Sequence, residues 1–203
     1  MIVTKIEESG KGKYKIYIDE EFRFMLYRND VIRYALKENS PVTEAVYRDI
    51  LTNTVLKRAK LKALALLKVM DRTEQELIRK LGQSHYSGDV IEETVAYVKS
   101  YHYIDDAKYA ENYINIRKNG RSKTQLKSEL MRKGVEKELI EEAVSKEYGD
   151  EDAAIIRAIG KKTKDISQLS QEEKRKLSAY LYRKGFPVEL IKKYVNRGSF
   201  EDV

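Results

Sequence analysis

The stretch LKSELMRKGVEKELIEEAV, residues 126–144, decides the fold because a close copy of it, LSAYLYRKGFPVELIKKYV, follows at residues 177–195. The two copies lie 51 residues apart, and in both an Arg-Lys-Gly triplet is followed by Glu-Leu-Ile. A looser copy, LIRKLGQSHYSGDVIEETV, lies 49 residues before the first, at residues 77–95. Self-similarity at a nearly fixed spacing of this size indicates tandem structural repeats.

Each copy predicts two helices joined by a tight turn, because its apolar residues recur every three or four positions. Gly134 and Gly185 fit the left-handed position that ends a helix. Thr73, Ser122 and Ser170 each precede a Glu or Gln by three residues, the spacing of a capping box at a helix start.

One further helix is predicted before each pair: one ending near Met70, one over residues 105–118 and one over residues 150–164. The repeat is then a three-helix bundle of about 50 residues. Three such bundles in tandem predict an elongated helical array.

The first 40 residues follow a different pattern, with apolar residues at a spacing of two in three short segments. This pattern predicts a three-stranded β-meander. Residues 40–44, Ser-Pro-Val-Thr-Glu, predict a helix start with the proline in the entry turn. The predicted fold is mainly α. It comprises an N-terminal strand region with a short helix (residues 1–40) and three helical repeats (residues 41–101, 102–149 and 150–203).

The composition excludes several classes of site. With no cysteine and two histidines among 203 residues, the chain has no thiolate zinc site, no iron–sulfur cluster and no cysteine nucleophile. The most apolar stretch, residues 61–70, contains Lys62 and Lys68 and is too short to cross a membrane. The N-terminus lacks the pattern of a secretory signal, so we expect a cytoplasmic protein. We expect no cofactor, and a monomer.

The chemistry-bearing residues do not predict an enzyme. Gly160-Lys161 resembles part of a phosphate-binding loop, but that motif needs a glycine where Ile155 stands. The adjacent acids at positions 105 and 106 lie at a helix start, where carboxylates favour the helix dipole. We expect His102, at a helix exit between two tyrosines, to be packed rather than catalytic.

The net charge of +7 is unevenly distributed. Residues 117–133 hold seven basic side chains against one acid, Glu129, and residues 51–70 hold five basic side chains and no acid. Such stripes are either solvated helix faces or surfaces that contact phosphates or an acidic protein. Basic residues in the last turn of a helix are also favoured by the helix dipole alone. The candidate partner-binding residues are Arg72, Arg79, Arg117, Arg121, Arg132, Lys133, Arg183 and Lys184.

Four segments, in order, carry a resemblance to a known family: RTEQELIRKL at 72–81, YIDDAKYA at 103–110, RKNGRSK at 117–123 and LMRKGV at 130–135. Together they resemble the RecX regulatory proteins, and the similarity is continuous over residues 56–195. The N-terminal region also resembles the extension of the longer members. The resemblance implies a noncatalytic protein that binds the RecA filament on single-stranded DNA and blocks its extension or promotes its disassembly.

A second hypothesis follows from the same helical units, which are similar to helix-turn-helix modules that bind DNA directly. The third helices of the first two units argue against it, since residues 136–147 carry a net charge of −3 and residues 89–99 one of −2. Only the last unit offers a basic helix, with Lys192, Lys193, Asn196 and Arg197. Weak nonspecific DNA contact through the basic stripes remains an alternative.

Overall fold

The computed structural model describes residues 1–196 and divides into two compact units, Met1–Asp105 and Asp106–Val203. The first unit holds a small antiparallel sheet followed by helices, and the second is helical. The prediction of a mainly helical chain with a small N-terminal sheet is confirmed.

The sheet contains the predicted meander of β1 (Ile2–Glu8), β2 (Lys13–Ile18) and β3 (Glu21–Tyr27). A fourth strand, β4 (Ser40–Pro41), pairs with β1, so the strand order is β3-β2-β1-β4. In β2 and β3 the apolar residues at spacing two fill the face that packs on the following helices, and Ile16, Ile18, Phe24 and Leu26 are buried there. In β1 the predicted face, which starts at Ile2, is wrong: Ile2 is exposed and Val3 is buried, and the register with β2 shifts between Val3 and Lys5.

The helix start predicted within residues 40–44 exists, but the role assigned to the proline is wrong. Ser40 and Pro41 form β4, and the helix begins only at Glu44. Thr43 is its N-cap, because its hydroxyl accepts a hydrogen bond of 3.3 Å from the N–H of Val46.

The helices of the first unit are α1 (Arg28–Arg33), α2 (Glu44–Asp49), α3 (Lys57–Val69), α4 (Glu74–Gly82) and α5 (Gly88–Ser100). A π-helical segment, Ile50–Leu56, joins α2 to α3 without a break. The sequence pattern does not predict this wider turn. Its inner face packs against the sheet through Ile50, Val55 and Leu56.

The second unit contains α6 (Asp106–Arg117), α7 (Lys123–Lys133), α8 (Lys137–Glu147), α9 (Glu151–Gly160), α10 (Gln171–Arg183) and α11 (Val188–Asn196). These form the second and third predicted repeats, and their buried side chains make one continuous core. Helix α9 ends at Gly160, earlier than the predicted end near residue 164, and a turn at Thr163 follows, whose hydroxyl accepts from the N–H of Asp165.

The predicted left-handed helix ends are confirmed. Gly134 and Gly185 have φ of 87° and 81°. After each of them, the next N–H bonds at 3.2 Å to the carbonyl five residues back. In the first repeat His85 takes the equivalent place with φ of 62°, and the N–H of Tyr86 reaches the carbonyl of Leu81. The repeat therefore keeps its turn geometry even where it lacks the glycine.

Two of the three predicted capping boxes are complete, those of Thr73 with Glu76 and of Ser170 with Glu173. The third prediction is half wrong. Ser122 caps α7 by accepting from the N–H of Gln125 at 3.0 Å. The Gln125 side chain, however, donates to Glu129 and does not bond to the N–H of Ser122.

Within residues 1–196, no helix is both long enough and apolar enough to span a bilayer, and no cluster of three or more His, Asp or Glu side chains could hold a metal ion. His102 is exposed, so the expectation that it is packed is wrong.

Candidate functional site

A basic cleft of about 590 Å³ lies between α7 and α10, the middle helices of the second and third repeats. Three of the eight predicted residues, Arg132, Arg183 and Lys184, line it together with Tyr180. We call it the inter-repeat cleft. Arg132 and Arg183 are equivalent positions of the two repeats, so the repeat places matching guanidinium groups on one surface.

The arginines reach the cleft because each lies at the C-terminal end of its helix, next to a glycine turn. Both Arg132 and Arg183 are exposed, and the Nε of Arg132 donates to the carbonyl of Ser128 at 3.4 Å. The helix dipole favours positive charge at this end. The same placement leaves both guanidinium groups in contact with solvent.

One hydrogen bond joins α7 to the end of α10 beside the cleft, and the backbone at Gly185 approaches α7 closely. The hydroxyl of Ser122 donates to the carbonyl of Lys184 at 2.6 Å. A Cβ atom on Gly185 would lie only 2.9 Å from the Ser122 oxygen, which is closer than real Cβ contacts allow. Position 185 therefore needs glycine for its left-handed φ and also for its approach to α7.

Arg121 has a structural partner beside the cleft. Its guanidinium pairs with Glu129, which also accepts hydrogen bonds from the hydroxyl of Tyr113 at 2.8 Å and the amide of Gln125 at 2.9 Å. Burial alone would raise the pKa of Glu129, but the bonds from Gln125 and Tyr113 and the charge of Arg121 outweigh it and hold that pKa below its ordinary value. Glu129 therefore stays ionised, and much of the charge of Arg121 is neutralised.

Arg117 and Lys133 lie over a pair of tyrosines on α6. The Arg117 guanidinium is 4.1 Å from the ring centre of Tyr113, and the Lys133 ammonium is 5.5 Å from that of Tyr109. Cations over aromatic faces are stabilised by the ring quadrupole. These contacts fix both side chains against α6.

The remaining predicted residues, Arg72 and Arg79, belong to the first unit. Arg79 is exposed on α4, and its Nε donates to the carbonyl of Gln75 at 3.3 Å. Arg72 precedes α4 and is half-buried, and within residues 1–196 its Nε has no hydrogen-bond partner. The structure thus gathers three of the eight candidates in one cleft and places the others on different surfaces.

Tyr180 was missed by the sequence analysis. The ammonium groups of Lys162 and Lys184 lie 4.8 Å and 5.8 Å from the centre of its ring. Tyr180 lines both the inter-repeat cleft and a second cleft of about 360 Å³. The spacing of four residues between Tyr180 and Lys184 on one helix was a usable signal. No sequence signal indicated the contact with Lys162, because that lysine lies beyond the end of α9.

The basic helix of the alternative hypothesis is largely ion-paired. Lys192 lies 3.2 Å from Glu189, and Lys193 pairs with Asp152 of α9. Arg197 and the side chain of Asn196 lie outside the described residues.

Tandem three-helix repeats with a cleft lined by Arg132, Arg183 and Lys184 define a helical-repeat protein. Three family models match the chain: "RecX, first three-helix domain" over residues 59–97, "RecX, second three-helix domain" over residues 105–144 and "RecX, third three-helix domain" over residues 150–195. The chain belongs to the RecX family of regulatory proteins.

Two relatives that match over nearly their whole length support the assignment. The Regulatory protein RecX of Clostridioides difficile (strain 630) is 30% identical, with coverage of 97% of this chain and 95% of the relative. That of Caldanaerobacter subterraneus subsp. tengcongensis is 32% identical, with coverage of 97% and 99%.

Two solved structures share the fold. A crystal structure of a regulatory protein RecX is similar with a TM-score of 0.64 at 21% identity, over 97% of this chain and 98% of that one. The crystal structure of RecX from Lactobacillus salivarius is similar with a TM-score of 0.60 at 22% identity, over 70% of this chain and 95% of that one.

Proposed function

We propose that this protein binds RecA, or the RecA filament on single-stranded DNA, and mainly inhibits its recombinase and ATPase activities by blocking filament extension or promoting disassembly. Membership of a family of regulatory proteins supports a regulatory role. The observation that carries the proposal for this chain is the inter-repeat cleft, in which Arg132, Arg183 and Lys184 converge.

The cleft suits an acidic protein surface for an electrostatic reason. Of the described residues that line it, only Glu129 is acidic, and Arg121 neutralises it, so these residues present their cations without a competing carboxylate. Complementary charge speeds the encounter with an acidic partner and fixes its orientation.

A filament repeats the same surface along its length, so one bound molecule can contact successive protomers. In this proposal Arg117 and Lys133, Arg72 and Arg79, and the inter-repeat cleft act as separate patches. Each patch alone binds weakly, and linking them in one chain raises the overall affinity through effective concentration.

The test is ATP hydrolysis by RecA on single-stranded DNA while this protein is titrated in, with binding to bare DNA measured in the same buffer. We expect suppression at substoichiometric protein, where bare DNA is scarcely bound. No effect on hydrolysis together with salt-sensitive DNA binding would reject the filament proposal in favour of direct DNA binding.

The cleft is tested with the double reversal Arg132→Glu/Arg183→Glu. Its matched control is Lys137→Glu/Arg175→Glu, which changes the same charge at exposed residues of α8 and α10 that do not line the cleft. We expect only the cleft variant to lose inhibition. Equal losses in the two variants would mean that net charge matters and the cleft does not.

Arg121 is a poor target for such a reversal, because a glutamate there would face Glu129 and disturb the fold. The direct DNA-binding hypothesis is weakened by the ion pairs of Lys192 and Lys193. We further propose that the protein acts without catalysis or cofactor, as a monomer in the cytoplasm.

A further inference from the structure

The second cleft that Tyr180 lines, of about 360 Å³, lies between α10 and the turn that follows α9. We call it the apolar cleft, because Leu169 and Leu177 line it beside the Tyr180 ring. Leu177 is buried, and Leu169 and Tyr180 are half-buried. A volume in this range and apolar side chains in the lining are typical of sites that take up part of a ligand.

Four charged side chains also line the apolar cleft, and two of them are engaged elsewhere. The carboxylate of Glu173 accepts hydrogen bonds from the N–H and the hydroxyl of Ser170, both at 2.8 Å, and so caps α10. Lys176 forms an ion pair of 2.7 Å with the acid one turn before it. Lys162 and Arg183 are exposed, and within residues 1–196 neither has an ion-pair partner. The charge available to a ligand is therefore positive.

The apolar cleft adjoins the inter-repeat cleft, because Tyr180 and Arg183 line both. The cations near the Tyr180 ring are divided between the two clefts: Lys162 lines the apolar cleft, and Lys184 lines the inter-repeat cleft. A ligand long enough to occupy both clefts meets a lysine in each of them. At the junction it meets the Tyr180 ring and the unpaired guanidinium of Arg183.

These features set two requirements for the ligand. It must carry negative charge on both sides of the junction, and it must carry an apolar group between them. A peptide segment with acidic side chains around one apolar side chain meets both requirements. A guanidinium binds a carboxylate through two parallel hydrogen bonds, and an apolar side chain seated in a pocket is a typical anchor of an interface. Stacked bases would need several aromatic faces, whereas the described lining of the apolar cleft holds one ring and two leucines.

We propose that the two clefts together bind one acidic segment of the partner protein. One apolar side chain of that segment lies against Leu169, Leu177 and Tyr180, and its carboxylates pair with Arg132 and Arg183. This inference rests on the proposed function, since it names the part of the partner that the inter-repeat cleft takes up. It adds selectivity, because an acidic surface without an apolar group fills only half of the site.

The first experiment measures peptide binding to the full chain by fluorescence anisotropy, without RecA. The probes are a labelled octaglutamate and the same peptide with a leucine in place of a central glutamate. The leucine peptide should bind about ten-fold more tightly although it carries one charge fewer, since burial of a leucine side chain supplies at least this factor. Equal or weaker binding of the leucine peptide overturns the proposal.

The variant Leu169→Ala locates the leucine-binding site. It should reduce the preference for the leucine peptide from about ten-fold to about two- or three-fold, and leave octaglutamate binding unchanged. The matched control is Leu190→Ala: Leu190 is also half-buried and packs against the same core, but it lines neither cleft. A preference that survives in Leu169→Ala, or that falls equally in the control, overturns the proposal.

A charge variant keeps the test available if Leu169→Ala does not fold, as judged by its melting curve. Lys162→Glu should weaken binding of the leucine peptide at least about five-fold at low salt, because Lys162 lines the apolar cleft. Lys164→Glu, at an exposed lysine two residues away that lines neither cleft, is the control. Equal effects of the two reversals overturn the proposal.

The same variants test other occupants. An oligothymidylate whose affinity falls in Leu169→Ala as much as that of the leucine peptide would assign the clefts to a nucleic acid. A dimer in sedimentation that dissociates in Leu169→Ala would assign them to a second copy of the chain. Either result overturns the proposal.

Suppression of RecA ATP hydrolysis separates this inference from the proposed function. We expect Leu169→Ala to need several-fold more protein than Leu190→Ala for half-suppression. Equal suppression by the two variants would overturn the inference and leave the proposed function standing. Conversely, a leucine preference that Leu169→Ala removes, in a protein that does not suppress hydrolysis, would support the peptide site and reject the proposed function.

Discussion

The hydroxyl of Ser122 lies 2.6 Å from the carbonyl of Lys184, and this hydrogen bond joins the start of α7 to the end of α10. The same hydroxyl accepts from the N–H of Gln125 and so caps α7. Ser122 is fully buried. One side chain therefore begins a helix and fixes one wall of the inter-repeat cleft.

Replacing Ser122 with alanine should remove both bonds and leave the Lys184 carbonyl without its partner. We expect the free energy of unfolding to fall by about 2–3 kcal/mol. The control is Ser170→Ala, an exposed cap in the same unit, for which we expect about 1 kcal/mol. Urea unfolding of both variants measures the difference, and equal losses would show that the bond to Lys184 contributes nothing.

Gly185→Ala should destabilise the second unit more than Gly120→Ala does. Gly185 and Gly120, with φ of 81° and 84°, are both left-handed, which costs a non-glycine residue about 1–2 kcal/mol. At position 185 the new Cβ also lies 2.9 Å from the Ser122 oxygen, whereas at position 120 its nearest neighbour is the Lys161 ammonium, at 3.4 Å. Thermal unfolding of the two variants gives the comparison, and a similar melting temperature for both would mean that α7 moves aside at no cost.

Glu129→Gln should lower the free energy of unfolding by about 2 kcal/mol, because it removes the carboxylate charge that pairs with Arg121 and accepts from the Tyr113 hydroxyl. Glu141→Gln is the matched control: its ion pair with Lys127 is more exposed and should be worth less than about 1 kcal/mol. Denaturant midpoints separate the two cases. A negligible loss at position 129 would contradict the network described around Arg121.

The stability of the second unit should depend on Asp152 at acid pH. The hydrogen bonds from Lys193 and Tyr194 lower the pKa of Asp152 to about 2. The unfolded value is about 3.9, so the ionised form stabilises the fold above that pH, and this contribution is lost as pH falls from about 4 towards 2. Melting temperatures across this window should fall less steeply for Asp152→Asn. Parallel curves for the two proteins would refute this assignment.

His85→Gly should stabilise the first unit, since a non-glycine residue at φ of 62° carries strain that glycine lacks. We expect a gain of up to about 1 kcal/mol in the free energy of unfolding. Gln83→Gly, two residues earlier with φ of −60°, should instead lose stability, because glycine there only adds freedom to the unfolded chain. Melting curves of the two variants should therefore move in opposite directions.

Local signals explain how much of the fold was predictable from the sequence. The repeated apolar spacing located the helices of each repeat, and Gly134 and Gly185 located their ends, because those features are set within a few residues of each other. The π-helical segment and β4 were not predictable in this way. Their positions depend on packing against the sheet and on pairing with β1, which residues distant in the chain supply.

Part of the candidate site was likewise predictable from the sequence, and part was not. The arginines at the ends of α7 and α10 were selected from the sequence because the repeat made them equivalent. That Arg121 is held by Glu129 was not visible, although the acid stood alone in a basic stretch. The contact of Tyr180 with Lys162 was not visible either, because that lysine lies after α9 and meets α10 only in the folded chain.

The two-residue strand β4 has a consequence for how the sheet meets other molecules. An open edge of a sheet offers unpaired backbone groups that can recruit a strand from another chain and start aggregation. Here the N–H of Asn39 bonds to the carbonyl of Val3 in β1, and the N–H of Val42 bonds to the carbonyl of Met1, just before β1. Between them stands Pro41, which has no N–H to offer. The chain thus closes this edge with its own shortest strand, and the proline keeps the closure from serving as a template for intermolecular pairing.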